Sequence, residues 1–82
     1  NIVLVPDNEP RNEQIVKQIE KFINNNYSVV LWPESVKEKD INEMILSGKT
    51  KSDIKNLIEQ NTFKGISAKL KFTNWRKRNA TN

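Results

Sequence analysis

The sequence predicts an α/β fold, a small parallel sheet with flanking helices and an edge strand near the C-terminus. Two apolar runs, Ile2 to Val5 and Tyr27 to Trp32, are each stopped by a proline and read as strands. Between them, apolar side chains recur at helical spacing. Strand, helix, strand within about 30 residues is a βαβ unit, which implies parallel strands joined by a right-handed crossover.

Each element has a local reason. Ile2-Val3-Leu4-Val5 runs into Pro6-Asp7-Asn8-Glu9-Pro10, a β-branched run ended by turn residues. Over residues 11–25, Ile15, Val16, Ile19, Phe22 and Ile23 share one helix face. Pro10 suits the first turn of that helix, where a missing N–H costs nothing. Asn24-Asn25-Asn26 ends it, because Asn tolerates the left-handed conformation. Both strands are apolar on both faces, as in a parallel sheet covered on each side.

A charged loop, 34–39, leads to Asp40, an N-cap acid with Glu43 three residues on. Ile41, Met44 and Ile45 form the next stripe, and Gly48 is a suitable C-cap. Thr50 or Ser52 can cap a third helix carrying Ile54, Leu57 and Ile58, ended by Asn61. Ile66, Ala68, Leu70 and Phe72 then alternate with Ser67, Lys69 and Lys71. Period 2 argues a half-exposed edge strand with its lysines outward; a helix over 66–77 is the alternative reading. Residues 1–78 read as the C-terminal part of one α/β domain, and 79–82 as a frayed tail.

Composition narrows the chemistry. With 82 residues and a mean hydropathy of -0.74, there is room for one small domain. No Cys and no His exclude disulfides, thiolate metal sites and histidine acid–base chemistry. Carboxylates, Lys, Arg and Tyr remain, and with them hard oxygen-ligated cations such as magnesium. No apolar run long enough for a membrane span and no basic-then-apolar leader are visible, so no membrane role and a cytoplasmic location are expected. The chain opens on Asn1 and goes at once into a strand, which is expected of a fragment of a longer protein.

Charge is uneven. Residues 1–59 carry eight basic and ten acidic side chains, whereas 60–82 carry six basic and no acidic ones. A basic end beside an acidic body points to an anionic partner, although a solvated cationic tail explains it equally.

The acids have a pattern too. In open α/β sheets, ligands bind beyond the carboxyl ends of the strands. Asp7 and Glu9 follow the first strand; Asp40, with Glu38 nearby, follows the second. All three are expected at one edge of the sheet, where clustered carboxylates need a cation to neutralise them. Spacing alone is also satisfied without any ligand. Asp7 is then a turn residue, Glu9 a first-turn acid and Asp40 a plain N-cap.

Resemblance adds to this. The stretch from Ile2 to Asn12 is similar to the second acidic motif of Toprim domains, an apolar strand running into Asp-x-Asp or Asp-x-Glu and then a helix. Val29-Val30-Leu31-Trp32-Pro33 and Lys39-Asp40-Ile41-Asn42-Glu43-Met44 resemble the next Toprim strand and its Lys-Asp-x-Asn element. The blocks VPDNEPRN, VVLWPE, KDINEMILSG and AKLKFTNWRK together resemble, in order, the C-terminal part of the DNA primases of large-tailed bacteriophages.

The resemblance implies a partial Toprim, Rossmann-like sheet. It implies RNA primer synthesis on a single-stranded DNA template from ribonucleoside triphosphates, by magnesium-dependent nucleotidyl transfer, beside a replicative helicase. Asp7, Glu9 and Asp40 would be the catalytic, metal-binding acids, and Arg11 and Lys39 would contact nucleotide phosphates. Toprim domains also use a Glu in an earlier strand, and such primases carry a zinc module; both would lie outside this chain. The fragment alone is therefore expected to be inactive.

Lys69, Lys71, Arg76 and Lys77 are the candidate nucleic-acid contacts of the basic end. Trp75, among lysines and arginines, can stack on a base or pack into the core with Phe72. The rival function is a non-catalytic α/β module that docks on nucleic acid or a replication partner through residues 64–78. A receiver-like signalling domain, with Asp7 in its acid cluster, is a weaker third: it needs about five strands.

Overall fold

The computed structural model describes residues 2–78, so the expected fray at 79–82 lies outside the described residues. The elements are β1 (Val3–Leu4), α1 (Glu13–Asn24), β2 (Ser28–Val30), α2 (Ile41–Leu46), α3 (Lys51–Gln60), β3 (Thr62–Phe63) and α4 (Gly65–Arg76). The sheet order is β1-β2-β3. β1 and β2 are parallel, with Val3 opposite Ser28 and Leu4 opposite Val29. β3 runs antiparallel to β2, with Val29 opposite Phe63 and Val30 opposite Thr62. The architecture is the expected small α/β fold, but the sheet is mixed.

β2 is the central wall. The side chains of β2 and of the two residues that follow it alternate between two cores, as the two-residue period of extended chain requires. Val29 and Leu31 join Val16, Ile19 and Ile23 of α1 and Ala68, Phe72 and Trp75 of α4. Val30 and Trp32 join Val36, Met44 and Ile54 on the α2–α3 side. Burial on both faces explains why this run is continuously apolar.

The helix ends follow from single residues. Asn12 caps α1, its Oδ1 accepting from the N–H groups of Gln14 and Ile15 at 3.0 and 3.2 Å. Pro10 therefore lies ahead of the helix and not in its first turn. Asn26 takes φ 62°, and the Tyr27 N–H returns to the Phe22 carbonyl at 2.9 Å while Asn26 N–H bonds Ile23. This is a Schellman stop, completed by a contact of the Phe22 and Tyr27 rings at 5.5 Å. α2 ends the same way on Gly48 at φ 106°, with Lys49 N–H on the Met44 carbonyl. Thr50 and Asp53 form a reciprocal capping box on α3.

The segment expected as an edge strand over 66–72 is helix α4. Ala68, Phe72 and Trp75 are 0%, 7% and 0% exposed, whereas Ile66 and Leu70 are 76% and 65% exposed. The buried set recurs at i, i+4 and i+7, which is helical. Two surface apolar residues had mimicked an alternation. The edge strand near the C-terminus is β3, two residues immediately before α4. Among the described residues, no helix is long and apolar enough to cross a membrane.

Candidate functional site

The loops after β1 and β2 meet at one edge of the sheet. The Asn8 N–H donates to the Lys39 carbonyl at 2.6 Å. The Asn8 side-chain amide donates to the carbonyls of Val36 and Glu38, both at 3.1 Å. Its Oδ1 accepts from Trp75 Nε1 at 2.8 Å. One side chain thus ties the first loop to the second and to α4. Trp32 Nε1 donates to the Pro6 carbonyl at 2.7 Å, and the Arg78 guanidinium donates to the Trp32 carbonyl.

Asn8 was only the middle residue of Asp-x-Glu in the sequence. The available signal was chemical: two tryptophans in a small core each need an acceptor for the indole N–H.

The acids lie on the two adjoining loops. Asp7 is exposed, and Glu9 and Asp40 are half-buried. The backbones of 7–9 and 38–40 are adjacent, as the strand order predicts. Yet among the described residues no three acidic side chains gather into a group able to hold a metal ion. Asp7, Glu9 and Asp40 thus come to the same strand ends through their backbones, without a closed cluster of three carboxylates among the described residues. The Asn8 side chain fills the junction between the loops. The Asp40 carboxylate is engaged at the start of α2, accepting the Glu43 N–H at 2.8 Å. The donor chemistry suits magnesium (Mg2+), but this arrangement does not supply a closed ligand set.

Glu38 is a structural clamp. Its Oε2 accepts from Ser47 Oγ at 2.6 Å, and Lys49 Nζ lies 3.2 Å from Oε1. The Ser47 hydroxyl first, then a backbone bond and Lys49, hold its pKa at about 2, below the ordinary 4.5. A depressed carboxylate pKa contributes stability that is full above the unfolded value and lost as pH falls through the folded one. Thermal stability should therefore drop from pH 4.5 towards 2, and Glu38→Gln should flatten that drop. Melting curves of both proteins across this range test it; parallel curves would remove Glu38 from the acid response.

The basic residues divide between two sides of α4. Lys69, Arg76 and Lys77 border a groove against α1, where Arg76 sits 3.6 Å from Glu20. Lys71 faces the other way, its Nζ 5.3 Å above the Phe63 ring. A strand would have put Lys69 and Lys71 on one face; the helix separates them by roughly 200°. Arg11 and Lys39 are exposed on the loops after β1 and β2. Phe72 and Trp75 are buried, with ring centroids 6.1 Å apart. Trp75 is thus a core residue and not a base-stacking platform.

Beyond the strand ends lies a polar cavity of about 470 Å³, bordered by Asn8, Glu34 and Lys37 from the loops and Asn74, Lys77 and Arg78 from α4 and its end. The Arg78 guanidinium is partly buried, which pushes its pKa down, while Glu34 opposes that shift.

No protein-family profile matches the chain. The chain is 34% identical over 77 residues to the DNA primase of Enterobacteria phage T4. The match covers 92% of this chain but 22% of that primase, so the chain spans about a fifth of its relative's length. The similarity extends over most of the chain and relates it to a phage DNA primase.

Proposed function

We propose that this chain is a Toprim-like part of a phage-type DNA primase, acting in RNA primer synthesis on single-stranded DNA from ribonucleoside triphosphates. The observation that carries the reading is similarity to a named DNA primase over nearly the whole chain. The meeting of the two loops at the strand ends supports it, because α/β sheets bind ligands there. Asp7, Glu9 and Asp40 are the proposed catalytic and metal-binding acids. Arg11, Lys39, Lys69, Lys71, Arg76 and Lys77 are the proposed contacts to nucleotide and nucleic-acid phosphates. Magnesium, held with further ligands from outside the described residues, would neutralise phosphate charge. A replicative helicase is the proposed partner, and the host cytoplasm the proposed location.

The residues of this chain do recognisable work in that reading. Asn8 fixes the spacing of the two loops. The cations attract phosphate and hold it near the strand ends, and Phe72 and Trp75 anchor α4, which carries several of them.

The test is primer synthesis. The longer protein that contains this chain is incubated with single-stranded template, magnesium and labelled ribonucleotides. Short RNA products are expected, and none from the 82-residue chain alone, which lacks most of the length of the related primase. An inactive longer protein that still binds single-stranded DNA would favour the second reading, a non-catalytic docking module. That reading draws on one observation: among the described residues, the acids do not gather into a closed ligand set.

A further inference from the structure

We propose that the cavity between the two loops and the end of α4 is a phosphate-binding site, with Lys37 and Lys77 as its charged contacts and Asn74 as a neutral donor. Lys37 is in no block that carries the primase resemblance; the cavity alone picks it out. Three cations, Lys37, Lys77 and Arg78, border the space against one carboxylate, Glu34. Arg78 is committed to the Trp32 carbonyl. Lys37 and Lys77 have no ion-pair partner among the described residues.

A plainer account is that cations at the end of α4 offset the negative end of the helix dipole. It covers Lys77 and Arg78 but not Lys37, which reaches the same space from the loop after β2. Convergence from separate segments onto one cavity is what a multiply charged oxyanion requires. The volume lies within the range of small-ligand sites, and the lining is mainly polar. Asn8 does not bind the ligand: its amide and carbonyl are spent on the protein. It sets the distance between the two walls.

The choice of phosphate over other anions rests on the primase reading. The chemistry is shared by a nucleotide's phosphate tail and a nucleic-acid backbone, and the experiment separates these sources. The amides of the 82-residue chain are followed by NMR during titration with inorganic pyrophosphate and, separately, with a short oligothymidylate.

Shifts of Lys37, Asn74 and Lys77 are expected. Lys37→Gln and Lys77→Gln should each weaken binding about threefold, the scale of one exposed charge contact, while Lys55→Gln on α3 has no effect. If pyrophosphate alone binds, the source is a nucleotide tail. If the oligonucleotide binds, each substitution should also lower the log–log salt slope by about 0.7.

Absence of shifts with both probes overturns the site. So does undiminished binding by Lys37→Gln. These outcomes are read on the chain itself, so they are distinct from failure of primer synthesis by the longer protein.

Discussion

Trp75→Ala should remove a large share of the chain's stability and lower its urea midpoint by more than about 1 M. Trp75 is fully buried, packs against Phe72 and closes the α1–α4 core. Removing a buried tryptophan costs about 3–5 kcal/mol. A domain of this size has a total stability of roughly 4–12 kcal/mol. The substitution also strands the Asn8 oxygen, which adds an unsatisfied acceptor at the loop junction. Trp75→Phe separates the two effects. It keeps most of the packing and loses the N–H, for an expected cost of about 1–3 kcal/mol. Urea unfolding followed by far-UV circular dichroism measures both. A Trp75→Ala midpoint within a few tenths molar of the parent would show that α4 is not essential to the fold.

In a full-length primase of the proposed kind, Asp7→Asn should abolish primer synthesis while the fold stays intact. Asp7 is exposed at the carboxyl end of β1, and its side chain takes no part in the Asn8 junction. Replacing it with the near-isosteric amide removes a negative charge without creating a cavity. Loss of activity with unchanged melting would then report chemistry and not stability. A thousandfold fall, about 4 kcal/mol of transition-state stabilisation, is the scale expected for a metal-holding carboxylate. Asp40→Asn is the informative contrast. Asn is also a good N-cap, so the start of α2 should survive, and any lost activity belongs to the charge. Full primer synthesis by Asp7→Asn would take Asp7 out of the reaction.

What was legible in the sequence was local. The βαβ unit followed from two proline-stopped apolar runs around a helical stripe. The stops on Asn26 and Gly48 and the cap on Thr50 followed from residue type. What was not legible depended on contacts far apart in the chain. β3 is only two residues long, too short for any period to show. α4 was obscured because Ile66 and Leu70, both solvent-facing, completed a false alternation with Ala68 and Phe72. Among the site residues, the shared sheet edge of Asp7, Glu9 and Asp40 followed from strand order. The N-cap role of Asp40 was legible as well, whereas that of Asn8 was not, because its side-chain partners lie 28 to 67 positions along the chain. Lys37 gave no signal: its neighbours across the cavity lie some 40 residues on.

The bond between Asn8 and Trp75 joins residues 67 apart in the chain. Closing so long a loop carries an entropic cost that must be met before the contact contributes anything. The β1–β2 and β2–β3 pairings span much shorter separations. The Asn8–Trp75 bond therefore carries the largest closure cost of the three. The cavity between the first loop and α4 exists only when that closure is made. Because α4 also supplies Ala68, Phe72 and Trp75 to the core beneath the sheet, occupancy of the cavity and integrity of that core are linked: a ligand held there favours the packed helix.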